Sequence, residues 1–207
     1  MIHFVGAGCG APDLITLRGK KHIENADVII YAGSLVNKEL LQYAKKDCAV
    51  YDSAKMTLEE IIEVIAAAEG KGLTTVRLHT GDPSVYSTFA YLAPHIKNKG
   101  FDVIWVPGVT SFCASAAALG APLCTDREEL HVIPGGMNAG EALKLSGTKV
   151  FMKGELSPLL CAIKESGQNA QAVENCGIED EHIYGTADAV PEDAGYYLVT
   201  IVKEKES

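Results

Sequence analysis

The chain lacks any apolar run near the roughly 18 to 20 residues that a membrane-spanning helix needs. Its start passes from Met1 straight into "IHFVG", with no basic stretch and apolar signal core. The expectation is a soluble, cytoplasmic protein with no membrane partner. Positive charge is also scarce: 18 Lys and Arg stand against 27 Asp and Glu, a net charge of -9 with no basic stripe. That balance argues against a nucleic-acid partner, which would need clustered cations to displace counterions. The six cysteines (Cys9, Cys48, Cys113, Cys124, Cys161 and Cys176) form no CxxC pair, and no histidine stands at zinc-finger spacing. Reduced thiols and no metal site are expected. A G-x-S-x-G elbow, a Walker loop and an H-E-x-x-H helix are all missing, so no hydrolase constellation emerges.

What is present is ample core material, with 47% hydrophobic residues in a chain of 207. Short β-branched runs ("IHFV", "DVIIY", "CAVY", "TTVRLH", "FDVIWV") alternate with helical patterns ("LRGKKHIENA", "NKELLQYAKK", "TLEEIIEVIAAAEG"). Thr57 followed by Glu60 is a capping-box start, and Gly70 a stop. This alternation predicts right-handed βαβ units and a mainly parallel sheet over residues 1–120. Later strand-like runs ("TKVFMK", "AQAVENC", "EHIYG", "YYLVTIVKE"), with one helix "PLLCAIKESG", predict a mixed α/β lobe over 121–207. Pro122 to Arg127 is the linker candidate, and the tail "KEKES" is expected to be solvated.

Three glycine-containing strand exits stand out. "VGAGCGAPDLIT" carries Gly6, Gly8 and Gly10, and Ala11 replaces the third glycine of a dinucleotide fingerprint, which disfavours a nicotinamide site. A tight turn without a ligand is the plain alternative. "RLHTGDPSVYST" delivers Thr80, Gly81 and Asp82 to the sheet edge, with Pro83 suited to the first turn of a helix that Pro94 must kink or end. Asp82 reads equally as a helix cap. "VPGVTSFCASAAALG" again enters a helix, whose small residues Ala114, Ser115 and Ala116 also suit close packing. His79, just before the second exit, is the histidine whose position could line a pocket.

Four ordered motifs, "VGAGCGAPDLITLRG", "ADVIIYAGSLV", "RLHTGDPSVY" and "VPGVTSF", make the chain resemble the tetrapyrrole methylases over essentially its whole length. The resemblance implies a two-lobed α/β fold with the cofactor between the lobes, and S-adenosylmethionine as methyl donor to a small-molecule tetrapyrrole in cobalamin biosynthesis. It implies cofactor contacts by Cys9, Thr80, Gly81, Asp82, Val85, Thr110, Ser111, Met152 and Cys176, and a homodimer. Core packing is the alternative role for Met152. Tyr31, Ser34, Leu35, Ser53 and Met56 are the implied macrocycle contacts. The family usually has proline in the place of Cys9 and often an acid in the place of Ala11.

"YAGSLVNKELL", "YDSAKMTLEEI" and "RLHTGDPSVY" resemble the precorrin-4 or cobalt-precorrin-4 C11-methyltransferases. From about Tyr86, "YSTFAYL", "PGVTSFCASAAALGAPL", "TKVFMK" and "VENCGIEDEHIY" resemble the precorrin-2 or cobalt-factor-II C20 enzymes. C11 methylation is the leading expectation and C20 methylation the alternative. A cofactor-binding relative without chemistry is a rival of a different class. Methyl transfer to carbon is an in-line displacement that asks mainly for orientation and water exclusion. Tyr31, His79 or bound water are the candidates for the remaining proton removal, since Ala32 stands where a uroporphyrinogen-type methylase has an acid after the tyrosine. Arg18, Lys20, Lys21, Lys38 and Arg77 are the cations near the first-lobe motifs.

Overall fold

A computed structural model describes residues 1–33 and 36–204. The chain divides into two compact units, Met1–Thr110 and Ser111–Ser207.

In the first unit, β1 (Ile2–Gly6), β2 (Val28–Tyr31), β3 (Ala49–Asp52), β4 (Thr75–His79) and β5 (Val103–Val106) form a wholly parallel sheet in the order β3-β2-β4-β1-β5. Parallel strands need crossovers, and the helical patterns supply them. Helix α1 (Leu17–Asn25) starts where Thr16 accepts a hydrogen bond from the Gly19 amide. Helix α2 (Leu58–Glu69) has the expected capping box: Thr57 Oγ1 accepts from the Glu60 amide at 3.2 Å and Glu60 Oε2 accepts from the Thr57 amide at 2.7 Å.

Two apolar layers sandwich this sheet. Ile2, Phe4, Val28 and Ile30 pack with Ile61 and Ile65 of α2 and with Phe89, Leu92 and Ile96 of α3 (Phe89–Asn98). Val5, Ile29, Val76 and Leu78 pack on the other face with Ile23 of α1 and Leu40. Strand residues therefore alternate between two cores, the pattern of a sheet covered on both sides. At about 25 cal/mol per Å² of apolar surface removed from water, these two layers are the main stabilising term of the unit.

Two helices differ from expectation. "NKELLQYAKK" forms only a short 3-10 segment, Lys38–Tyr43, between Asn37 and Ala44, both extended; Leu40 is its one fully buried side chain. Helix α3 begins at Phe89 rather than at Pro83. Asp82 accepts from the Ser84 amide at 2.8 Å, Tyr86 is left-handed (φ 44°), and Ser87 Oγ donates to the Pro83 carbonyl at 2.7 Å, so local turns consume the groups a helix would use. Pro94 lies inside α3 and does not end it. Ala90, whose carbonyl loses its partner there, is exposed to water, while Phe89, Leu92, Ala93 and Ile96 hold the helix on the sheet.

The second unit starts with α4 (Ser111–Ala118), which packs on β8 (Asn169–Glu174) and β10 (Leu198–Lys203). The expected division after residue 120 would have grouped α4 with the first lobe. With β6 (Leu130–Pro134), β7 (Thr148–Met152) and β9 (His182–Tyr184), those strands make a mixed sheet in the order β6-β7-β10-β8-β9. β6 pairs with β7 in parallel and the other three pairings are antiparallel. Strand β6 has no counterpart among the sequence expectations. It is half-covered and makes its ladder only with β7. Helix α6 (Leu156–Ser166) closes on Gly167 at φ 65°, a left-handed C-cap, and buries Leu159 and Ile163 against Phe151 and Val202. The short α5 (Ala139–Ala142) completes the set.

Thr57→Ala removes one half of the capping box and should lower stability by about 1 kcal/mol, read as a shift of the urea midpoint.

Candidate functional site at the carboxyl edge of the parallel sheet

Five parallel strands deliver their carboxyl ends to one edge, where open α/β sheets bind ligands. Strand order sorts the expected residues along it. Ser53 follows β3 and Tyr31 ends β2; Thr80, Gly81 and Asp82 follow β4; Cys9 lies beyond β1; Thr110 lies beyond β5. Expected macrocycle residues thus sit at the β3–β2 end and expected cofactor residues at the β4–β1–β5 end.

At the second end three backbones cross closely. The Gly81 amide donates to the Gly8 carbonyl at 2.6 Å, and the Gly8 amide returns a bond to the Gly81 carbonyl at 3.3 Å. A Cβ on Gly6 would stand 2.6 Å from both the Gly108 Cα and the Gly81 oxygen, and one on Gly108 would stand 2.8 Å from the Gly6 Cα. Only glycine lets these chains touch. Gly108 was not among the predicted site residues, although its place in "VPGVTS" was the available signal.

Asp82 locks the crossing. Its Oδ2 accepts from the Gly108 amide at 2.9 Å, and its Oδ1 accepts from the amide and hydroxyl of Ser84. Partial burial alone would raise its pKa, but the bonds from Ser84 and Gly108 outweigh it and hold the carboxyl below its ordinary value. Asp82 is therefore a clamp between the β4 and β5 exits; it does not cap a helix, since α3 begins further on. The first loop is tied in as well, because Thr16 Oγ1 donates to the Pro107 carbonyl at 3.4 Å and Asn37 Nδ2 to the Gly10 carbonyl at 2.9 Å.

Two features of this end suit a ligand. Gly81 is left-handed (φ 67°), and nothing lies within 4 Å of where its Cβ would be. Thr110 Oγ1 is buried and has no hydrogen-bond partner among the described residues. Cys9 and Val85 are half-buried, and the Val85 amide donates to the Asp82 carbonyl at 3.2 Å. In the second unit Ser111 opens α4, while Met152, at the end of β7, packs in a core with Ala116, Val150, Val199 and Ile201. Cys176 is buried in the turn after β8.

At the β3–β2 end, Tyr31 is buried, and Ser53 Oγ donates to its carbonyl at 3.0 Å. Met56 is half-buried against the α2–α3 core. Ser34 and Leu35 lie outside the described residues. Asp52 joins the two exits: its Oδ1 accepts from the Gly33 and Ala54 amides at 3.0 Å. Sequence reasoning missed this bond, because nothing in "YDSA" announces that Asp52 faces Gly33.

His79 lies under the edge, stacked on Phe4 (centroids 5.4 Å apart) and edge-on to Phe89 (6.4 Å), with Nε2 unpartnered. Burial, assisted by the Arg77 charge, pushes its pKa from 6.5 down to about 3. It is therefore neutral at neutral pH and a weak base.

Comparison with known proteins points to one family. A family model described as tetrapyrrole (corrin/porphyrin) methylases matches residues 1–191. A cobalt-precorrin-4 C(11)-methyltransferase of Methanocaldococcus jannaschii is 55% identical over 115 residues, 56% of this chain and 44% of that protein. A precorrin-4 C(11)-methyltransferase of a Sinorhizobium species is 45% identical over 122 residues, 59% of this chain and 48% of that protein. The chain spans about half the length of the curated relatives it matches. The solved structure of a cobalt precorrin-4 methyltransferase superposes with a TM-score of 0.89 at 26% identity, covering 98% of this chain and 94% of that one. A uroporphyrin-III C-methyl transferase from Thermus thermophilus, solved in complex with S-adenyl homocysteine, shares the fold at 22% identity with a TM-score of 0.75, covering 98% of this chain and 97% of that one.

Gly108→Ala should cost about 2 to 3 kcal/mol in urea unfolding, because the added methyl meets backbone that cannot move aside. Gly185→Ala, where a Cβ meets nothing within 4 Å, should stay within about 0.5 kcal/mol. For His79, a depressed folded pKa means stability that is full above about pH 6.5 and drains as pH falls toward 3. Between pH 6.5 and 4.5 the melting temperature should drop by about 5 °C on this account, and His79→Phe should flatten that part of the slope.

Proposed function

The chain belongs to the tetrapyrrole (corrin/porphyrin) methylases, and on that premise we propose that it transfers a methyl group from S-adenosylmethionine to C11 of precorrin-4 or cobalt-precorrin-4. The observation that carries this reading is the 55% identity to the M. jannaschii protein of that name. The 0.89 superposition on a cobalt precorrin-4 methyltransferase, over nearly all of the chain, supports it.

The donor fits what the edge offers. The open space over Gly81 and the unpaired hydroxyl of Thr110 are a surface and a hydrogen-bonding group at the β4–β1–β5 exits. Thr80, Gly81, Val85 and Thr110, with Cys9 from the first loop, would hold S-adenosylmethionine. Bound there, it supplies an electrophilic methyl on a sulfonium. Asp82 would fix the loops through the bonds it accepts from Ser84 and Gly108 and keep acceptor capacity for the cofactor contact that the resemblance implies.

Tyr31, Ser53 and Met56, together with Ser34 and Leu35, would hold the macrocycle at the other end of the same edge. The chemistry then asks the protein for orientation and exclusion of water, which rigid glycine crossings and carboxylate clamps provide. Removal of the ring proton after attack is assigned to Tyr31 or to water, because buried His79 is too weak a base.

We also propose a cytoplasmic homodimer. The edge strand β5 supports a second copy as partner, since Ile104 and Trp105 are 38% and 46% exposed there. Light scattering after gel filtration checks this, and a monomer removes it.

The decisive assay supplies labelled S-adenosylmethionine with precorrin-4, cobalt-precorrin-4, precorrin-2 and cobalt-factor II, and locates the new methyl by NMR. Label at C11 is expected. Label at C20 would transfer the reading to the precorrin-2 type, and tight donor binding with no transfer would leave a cofactor-binding relative.

A further inference from the structure

The proposed substrate class carries many carboxylates, whereas the protein carries a net charge of -9. Of the five cations near the first-unit motifs, Arg18, Lys21 and Lys38 are exposed, and Lys20 is committed to Glu24 at 3.8 Å and to the Tyr43 ring at 4.4 Å. Arg77 differs from all of them. It is 6% exposed, in the central strand β4, between Phe4 of β1 and Ile30 of β2.

Its guanidinium is turned toward the carboxyl edge. Nη1 donates to the carbonyl of Leu78, the next residue in that direction, at 3.2 Å and to that of Ile30 at 3.3 Å. Nε is buried with no partner, and so is Nε2 of His79, two residues on along the same face of β4. Among the described residues no carboxylate pairs with Arg77, and burial alone lowers its pKa to about 10. Of the acids at the strand exits, Asp82 accepts from the Ser84 amide and hydroxyl and the Gly108 amide, and Asp52 Oδ1 from the Gly33 and Ala54 amides. A desolvated guanidinium without an anion is costly, and it stays fully charged at neutral pH.

From this we infer that Arg77 is the counter-charge for a substrate carboxylate, drawn to the β2 and β4 exits where the Nη1 bonds aim it. The inference rests on the tetrapyrrole reading above and deepens it. Since Tyr31 and Thr80 are the residues that follow Ile30 and His79, the same bonds place positive potential at the boundary between the macrocycle end and the cofactor end. An anion there finds a cation already desolvated and fixed, which strengthens the pairing relative to an exposed lysine.

The test is direct binding to the full chain of an octacarboxylate porphyrin and, as uncharged control, its octaamide. S-adenosylmethionine affinity is measured alongside by calorimetry. Arg77→Met is expected to weaken the acid at least tenfold, to leave the amide and S-adenosylmethionine within twofold, and to hold or raise the melting temperature, because a desolvated charge has gone. Arg77→Gln serves if the methionine variant does not fold, with the ratio of acid to amide affinity as readout. Unchanged acid affinity in a folded variant overturns the inference. Equal losses for acid and amide also overturn it, since the arginine would then shape the sheet rather than pair with an anion. Wild-type protein that binds S-adenosylmethionine but not the acid refutes Arg77 alone, and one that binds neither refutes the functional reading with it.

Discussion

Three backbone segments meet beyond the ends of β4, β1 and β5 with no side chain between them, and the candidate site depends on that contact. Gly6, Gly81 and Gly108 approach to distances that a single methyl would break. One carboxylate then holds the contact in place, because Asp82 reaches from the β4 exit to the Gly108 amide of the β5 exit. Close backbone approach gives a rigid floor, which suits the precise holding of a small donor better than mobile side chains would. The cost is sensitivity: a methyl on Gly6 or Gly108 meets backbone, whereas Gly81 is constrained by its left-handed φ of 67° rather than by space.

Asp52 repeats the device at the other end of the edge, where it bonds the Gly33 amide across from β2. Each clamp joins a pair of strand exits, one for the proposed macrocycle contacts and one for the proposed cofactor contacts. Strand order makes this division possible, since β2 and β3 lie together on one side of β4, and β1 and β5 on the other. Asp82 accepts bonds with both carboxylate oxygens and Asp52 with Oδ1, so each acid at the edge is tied to loop backbone. Arg77 is a buried charge of the unit with no carboxylate partner among the described residues, which the proposed ligand carboxylate would supply.

The second unit contributes differently. Its mixed sheet is held by antiparallel ladders around β10, and α4 packs against β8 and β10. Met152 and Cys176, both assigned to the cofactor by resemblance, are buried in that unit. Core packing and ligand contact are compatible roles for Met152, at the carboxyl end of β7, since a thioether on an apolar face can do both.

Much of this could be read from residues alone. Alternating apolar runs, the Thr57–Glu60 capping box and the glycine-bearing strand exits are local signals, and they specified the α/β layers, helix α2 and the three loops. The helix through Pro83 was misplaced because a turn of Asp82, Ser84 and Ser87 competes with helix hydrogen bonds, a contest that composition does not settle. Strand β6 was missed because its pairing with β7 comes from tertiary contact rather than from its own pattern. What the sequence by itself determined was which residue types stand at the strand ends, since turn chemistry and hydrophobic period act over a few neighbours. Only the tertiary structure decided that Asp82 bonds Gly108, that Asp52 bonds Gly33, and that Arg77 is buried with no counter-ion among the described residues, because each fact joins segments that only strand order brings together.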